Sequence, residues 1–141
     1  MFKFLVSLMF ATLLFSSVQA AEVSLSDKAR FETVIAGQLE AFKKDDGATA
    51  YSFAAPIVKS LFPNPDIFMA MVKRGYEPVY KNSKYIFGEL AIDQFGRPAQ
   101  HVIITADDGK RYEAVYSMQQ QVDGSWKIAG CQMVEIPSVD A

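Results

Sequence analysis

The chain has 141 residues, of which half are hydrophobic, and a formal net charge of −2. This mixed, slightly acidic balance without a Lys/Arg cluster argues against a nucleic-acid partner, which would require a basic patch. The only cysteine is Cys131, so an internal disulfide is excluded.

Residues 1–20 have the three parts of a cleavable signal peptide, in the usual order. Lys3 supplies the positive charge, and an apolar run with few interruptions follows over residues 4–18. Val18 and Ala20 then place small residues three positions and one position before a cleavage site. We therefore expect signal peptidase to cut after Ala20.

The remaining residues, 21–141, have the length of one domain with a single core. The apolar run before them is shorter than the roughly 20 residues of a membrane span, which disfavours an uncleaved anchor. Ala21 stands where a lipoprotein would need a cysteine. We expect one soluble domain, periplasmic or secreted, with no membrane anchor after cleavage. Its lone Cys131 should be buried as a small hydrophobe.

A long amphipathic helix is predicted to begin after Ser24, because Asp27 lies three residues later as in a capping box. Five apolar residues then recur at helical spacing: Phe31, Val34, Ile35, Leu39 and Phe42. The Asp-Asp-Gly stretch at 45–47 should end the helix, since glycine readily adopts the left-handed conformation found after helices.

Two further helices are predicted before the sheet. A short one covers residues 48–54, and Pro56 interrupts it. Another begins at the Asn-Pro pair at 64–65, where Asn suits the cap and Pro suits the first helical position, and it ends at Gly75. Residues 76–82 are predicted to be a loop.

The sequence after this loop is typical of strands. Four are predicted, over residues 84–93, 99–106, 111–121 and 125–135. The Asp-Gly pairs between the later strands are favoured in tight hairpin turns. Helices followed by an antiparallel meander indicate an α+β domain, with the N-terminal helices packed on one face of the sheet.

Three stretches carry a family resemblance. They are Gln-Leu-Glu-Ala-Phe at 38–42, Met-Val-Lys-Arg-Gly-Tyr with Pro-Val-Tyr at 71–80, and Asp-Gly-Ser-Trp-Lys-Ile with Gly-Cys at 123–131. They resemble an uncharacterised family of bacterial exported proteins, catalogued as domain of unknown function 4864. The order of elements is also similar to nuclear-transport-factor-two-like or cystatin-like cones, in which a curved four-stranded sheet wraps a long helix. The resemblance implies a fold and an exported location but no activity, because the family has no established catalytic residues. We predict no metal site, since the chain has one His, one Cys and scattered carboxylates, and no cofactor.

One row of residues is a candidate site. If both Asp-Gly turns are two-residue loops, His101 lies opposite Tyr116, which lies opposite Cys131. Tyr112 and Thr105 share this apolar face, which should meet the helices, and complete the candidate pocket. His101 and Cys131 would then be nearly 10 Å apart, which disfavours a thiol hydrolase. A packed core in which His101 and Tyr116 satisfy each other remains the alternative interpretation.

Three functions stay open. The leading hypothesis is a non-catalytic module of the bacterial envelope that binds a small apolar ligand or an envelope protein. The alternative is an isomerase- or dehydratase-like enzyme that uses His101 and Tyr116 on a small hydrophobic substrate. The third is a homodimeric structural module whose wetter sheet face serves assembly.

Overall fold

A computed structural model describes residues 24–138, which form five helices followed by a four-stranded sheet. The elements are α1 (Leu25–Lys43), α2 (Gly47–Ser52), α3 (Pro56–Leu61), α4 (Pro65–Gly75), α5 (Glu77–Tyr80), β1 (Asn82–Ile92), β2 (Pro98–Ala106), β3 (Arg111–Gln120) and β4 (Trp126–Ile136). The α+β class is confirmed. The expected signal peptide and its cleavage site lie outside the described residues.

Helix α1 begins as predicted. The Asp27 N–H donates to the Ser24 hydroxyl at 3.2 Å, and the Ser24 N–H donates to the Asp27 carboxylate at 3.4 Å. These reciprocal bonds satisfy two amides that the start of a helix leaves without partners. One face of α1 is buried through Phe31, Ile35 and Leu39, and the helix packs against β1, β2 and β4.

Two short helices, α3 and α5, were not predicted. Pro56 begins α3, and Pro78 lies in the first turn of α5. Proline interrupts a helix only in its interior, whereas its fixed φ and missing N–H suit the first turn. Residues 76–82, predicted to be a loop, therefore contain a helical turn and the first residue of β1.

The sheet is an antiparallel meander in the order β1-β2-β3-β4, and it is not closed. We call the face against the helices the inner face, which carries Val102, Ile104, Ala114, Tyr116 and Met118, all fully buried or nearly so. The opposite, outer face carries Ile86, His101, Glu113 and Val134, since each is one residue out of phase with the buried positions.

The turn between β2 and β3 corrects the predicted register. The Ala106 N–H donates to the Lys110 carbonyl at 2.8 Å, so three residues rather than two form the loop. Gly109 takes a φ of 86°, the left-handed conformation that closes such a loop. Every pairing moves by one position, and Tyr116 faces Gln100. The prediction that His101 lies opposite Tyr116 is wrong.

The pairing of Tyr116 with Cys131 is observed, but for a different reason. The second turn is also a three-residue loop, because the Gln121 N–H donates to the Ser125 carbonyl at 2.7 Å. A bulge at Ala129 then adds one residue to β4, and the register between Ser117 and Met118 shifts back. The extra loop residue and the bulge shift the register in opposite directions, so Tyr116 still faces Cys131.

The segment before α3 is attached to the edge of β4. The Ala55 N–H donates to the Ile128 carbonyl at 2.8 Å, and the Ile128 N–H donates to the Phe53 carbonyl at 2.9 Å. This single parallel bridge fixes where α3 lies. At the other end of α3, the Tyr51 hydroxyl donates to the Phe62 carbonyl at 2.7 Å.

Candidate functional site

A pocket of about 320 Å³ lies between the helices and the inner face of β3 and β4. It is lined by Gln38, Phe42, Ala54, Val58, Leu61, Phe62, Phe68, Met71, Tyr76, Val79, Tyr116, Ile128, Ala129, Gly130 and Cys131. The lining is mostly apolar and contains no Asp, Glu, Lys, Arg or His side chain.

Helix α3 forms one wall of the pocket and is joined to β4 at its start. No residue of α3 is fully buried, and its helix is held at its two ends by the bonds to Ile128 and Phe62. The bulge at Ala129 bends β4 at the same level. Leu61 is 68% exposed and lies at the rim, so the pocket opens beside the end of α3.

The hydroxyl of Tyr116 is the unusual group in this pocket. Tyr116 is only 1% exposed, and its hydroxyl oxygen is buried without a hydrogen-bond partner. The Cys131 thiol lies beside it as a weak hydrogen-bonding neighbour: it contributes to the raised pKa of Tyr116 but does not meet the geometry of a full hydrogen bond. A buried hydroxyl without a partner costs about 1–3 kcal/mol of stability, so proteins rarely keep one.

Two other buried polar atoms within residues 24–138 also lack partners, namely Asn82 Oδ1 and Trp126 Nε1. Neither residue lines the pocket. The Asn82 amide already donates to the Leu39 and Val79 carbonyls, at 3.1 and 2.7 Å. Among these three atoms, only the Tyr116 hydroxyl could meet a molecule bound in the pocket.

The titratable groups of the pocket are uncharged at neutral pH. Burial raises the pKa of Cys131 to about 12, although its contact with Tyr116 acts in the opposite direction. Burial, and then the nearby Cys131, raise the pKa of Tyr116 well above its ordinary value and also raise that of Tyr76. The pocket therefore offers neutral hydroxyl and thiol groups, with no thiolate nucleophile.

Two further polar side chains are already engaged. Gln38 on α1 is 4% exposed, and its amide donates to the Ala50 carbonyl at 3.1 Å. The Tyr76 hydroxyl donates to the Cys131 carbonyl at 3.1 Å, which joins the end of α4 to β4. These bonds join the pocket walls to neighbouring elements through the Gln38 amide nitrogen and the Tyr76 hydroxyl.

The five predicted site residues do not come together. Tyr116 and Cys131 lie side by side in the pocket. Tyr112 shares their inner face but not the pocket, while His101 and Thr105 lie on the outer face. The predicted row of His101, Tyr116 and Cys131 is therefore wrong, because the sheet separates the imidazole from the phenol.

His101 has a different partner on the outer face. Its Nδ1 lies 3.0 Å from a carboxylate oxygen of Glu113, at a half-exposed position. This pair lies on the opposite side of the sheet from the Tyr116 hydroxyl. An enzyme in which His101 and Tyr116 act on one substrate is incompatible with this arrangement.

The helical wall of the pocket was not predicted from the sequence. Val58, Leu61 and Phe62 come from α3 and its end, and Met71 comes from α4. Their apolar character alone does not distinguish a pocket wall from a packed core. The useful signal was the Pro56 position, because it starts the short helix that forms one side of the opening.

Within residues 24–138, no three side chains of His, Cys, Asp or Glu are grouped so that they could hold a metal ion. Across the same part of the chain, no helix combines the length and apolar character needed to cross a membrane.

Comparison with known proteins supplies the family. No curated protein and no solved structure matches the chain significantly. Residues 24–141 match the family described as Domain of unknown function (DUF4864). This match covers most of the sequence and includes all nine helices and strands of the described part. The chain therefore belongs to the DUF4864 family.

Proposed function

We propose that this protein is a binding module that takes a small, mainly apolar molecule into the pocket beneath α3. The observation that carries the proposal is that Tyr116, whose buried hydroxyl has no hydrogen-bond partner of full geometry, lines that pocket. A ligand with one hydrogen-bonding group would give this hydroxyl the partner that the protein does not supply.

The stability cost of this hydroxyl supports the proposal. Phenylalanine at position 116 would fill the same space without an unpaired polar atom, and would be more stable by this criterion. Groups that lower stability and do not stabilise the fold in any other way are concentrated at functional sites. The other polar side chains in the wall, Gln38 and Tyr76, have partners within the protein.

The size and lining of the pocket also fit a small molecule. Its volume of about 320 Å³ lies within the range of ligand pockets, roughly 300–1,000 Å³. Aromatic rings of Phe42, Phe62 and Phe68 and the sulfur of Met71 form much of its wall. Such side chains make favourable contacts with planar or aliphatic ligands.

Binding is favoured over catalysis. A general acid or base must lie within hydrogen-bond reach of the reacting group, and its pKa should be near the working pH. The lining residues contain no imidazole or carboxylate, and burial keeps Cys131 and Tyr116 protonated.

Export and a cone fold complete the proposal. Residues 1–20 have the pattern of a signal peptide, which supports a periplasmic or secreted address. Helices followed by a four-stranded meander are the element order of nuclear-transport-factor-two-like cones, which supports that fold. N-terminal sequencing of the exported protein should begin at Ala21, and an exported form that still begins at Met1 would contradict the signal peptide.

The binding proposal is tested with 2-naphthol, a two-ring molecule with one hydroxyl, in calorimetric or fluorescence titrations. We expect saturable binding of one molecule per chain. Tyr116→Phe should weaken it about tenfold, because one hydrogen bond in a buried site is lost. Tyr112→Phe is the matched control, since it removes a hydroxyl from the same strand and face outside the pocket.

A titration without saturation for the wild type would contradict the proposal. Equal binding by the wild type and Tyr116→Phe would also contradict it, since the argument rests on the Tyr116 hydroxyl. A loss of the same size in Tyr112→Phe would show that the change acts through the sheet and not through the pocket.

A second candidate function is assembly through the outer face. Ile86 and Val134 are 67% and 69% exposed there, in one row across the sheet with Ile103 and Glu113. Ile86 and Val134 lie on the two edge strands of this row, and apolar side chains exposed on one face are typical of surfaces that bind a partner. Solution scattering at increasing concentration should show dimers if this face pairs with a second copy, and a monomer at all concentrations would contradict this second candidate.

A further inference from the structure

The two sides of the pocket differ in their exposure to solvent. Of its lining residues, Tyr116 is 1% exposed and has a solvent-shielded hydroxyl, whereas Leu61 is 68% exposed, so we take the Tyr116 side as the enclosed end and the Leu61 side as the opening. A ligand that uses the hydroxyl must therefore enter with its polar group first and leave its apolar part near the opening. This is the reverse of a site that buries a tail and leaves a charged head in water.

Entry in this direction removes the polar group of the ligand from water. For an alcohol, phenol, aldehyde or ketone, the single hydrogen bond to Tyr116 replaces most of the hydrogen bonding that water gave to the polar group. For a carboxylate or phosphate, the loss of hydration is far larger and needs an opposite charge or several donors as compensation.

The pocket provides no such compensation. None of its lining residues carries a positive charge, and its three titratable groups, Tyr76, Tyr116 and Cys131, are neutral. The start of α3 does not supply donors to the pocket either: the Ala55 N–H is bonded to the Ile128 carbonyl, Pro56 has no N–H, and Ile57 does not line the pocket.

We infer that the pocket selects uncharged molecules that carry one hydrogen-bonding oxygen on a compact apolar body, and that it discriminates against the corresponding acids. This inference rests on the proposed function and adds its ligand class. The body is about two rings in size, because a cavity of about 150 Å³ already accommodates benzene and this pocket is about 320 Å³.

Three matched probes test this inference: naphthalene, 2-naphthol and 2-naphthoate. They share the two-ring body and differ only in the polar group. At pH 7 the expected order of affinity is 2-naphthol, then naphthalene, with 2-naphthoate no better than naphthalene. The advantage of 2-naphthol over 2-naphthoate should be at least about tenfold, since the buried anion has no partner.

Tyr116→Phe gives the second readout. It should remove the advantage of 2-naphthol and leave the binding of naphthalene and 2-naphthoate unchanged, because neither of these uses the hydroxyl. Lowering the pH should strengthen binding of the acid as its carboxyl group becomes protonated, with no comparable change for 2-naphthol.

The possible results separate the two proposals. If 2-naphthoate binds at pH 7 as tightly as 2-naphthol and both lose affinity in Tyr116→Phe, the neutral ligand class is wrong, but binding in the pocket stands. If none of the three probes binds the wild type, both proposals are wrong. Tight 2-naphthol binding that is lost in Tyr116→Phe, with weak 2-naphthoate binding, supports both.

Discussion

The two faces of the sheet treat their polar side chains in opposite ways. On the outer face, His101 lies 3.0 Å from Glu113 and both are partly exposed to water. On the inner face, Tyr116 is almost fully buried and its hydroxyl has no partner. The histidine is the more reactive residue type, yet its environment is ordinary. A polar group that the protein leaves unpaired is the better indicator of a binding site than a reactive residue type at the surface.

The largest expected effect concerns which residues face the core. Ile104→Ala on the inner face should lower the free energy of unfolding by about 2–5 kcal/mol, because Ile104 is fully buried. Ile86→Ala on the outer face should change it by about 0.5 kcal/mol or less, since Ile86 is mostly exposed. Denaturant unfolding measures both, and similar losses in the two variants would show that the faces are assigned incorrectly.

The reactivity of Cys131 tests how well the inner face is shielded from water. Cys131 is partly exposed as a residue, rather than fully buried as predicted, but burial of its thiol raises the pKa to about 12, so the reactive thiolate is scarce in the folded protein. Alkylation with iodoacetamide at pH 8 should be at least about a hundredfold slower in the folded than in the urea-unfolded chain. Equal rates in the two states would show that water reaches this end of the pocket freely.

The raised pKa of Cys131 also lowers the stability of the folded protein at high pH. Because the folded-state pKa is raised, the contribution of Cys131 is complete below about pH 9 and is lost as the pH rises towards 12. Cys131→Ala should reduce this part of the alkaline loss of stability. If the free energies of unfolding of the wild type and Cys131→Ala change in parallel over that pH range, the thiol is not shielded.

The smallest expected effect is on the outer face. His101→Ala should change the free energy of unfolding by about 0.5 kcal/mol or less, since a single partly exposed contact between polar side chains contributes little. It should leave 2-naphthol affinity unchanged, because the sheet separates His101 from the pocket. A marked loss of 2-naphthol binding in this variant would restore His101 to the site and overturn the assignment of faces.

The sequence predicted the fold class well because two periodicities are clear in it. Apolar residues at helical spacing define α1, and Ser24 and Asp27 mark its start. The strands follow from alternation and from the Asp-Gly turns between them. Both signals are local, so they survive without knowledge of the tertiary structure.

The register was not predictable from those turns. An Asp-Gly pair fits a two-residue loop and also a three-residue loop in which glycine takes the left-handed conformation, as at Gly109 and Gly124. The choice moves every partner by one residue and reverses the faces. For Tyr116 and Cys131 the bulge at Ala129 cancelled the error, whereas nothing corrected it for His101.

The pocket was not predictable because its wall depends on a contact distant in sequence. The bridge between Ala54 and Ile128 fixes the position of α3, and no sequence pattern signals it. The unpartnered state of the Tyr116 hydroxyl likewise becomes visible only once its neighbours are placed.

Denaturant unfolding of the wild type and Tyr116→Phe, each without and with saturating 2-naphthol, tests whether the Tyr116 hydroxyl lowers stability and serves a ligand. Without ligand, the variant should be more stable by about 1 kcal/mol, because an unpaired buried hydroxyl has been removed. With 2-naphthol, the wild type should gain more stability than the variant, since it binds the ligand more tightly. A variant that is less stable without ligand and gains as much from 2-naphthol as the wild type would contradict the account.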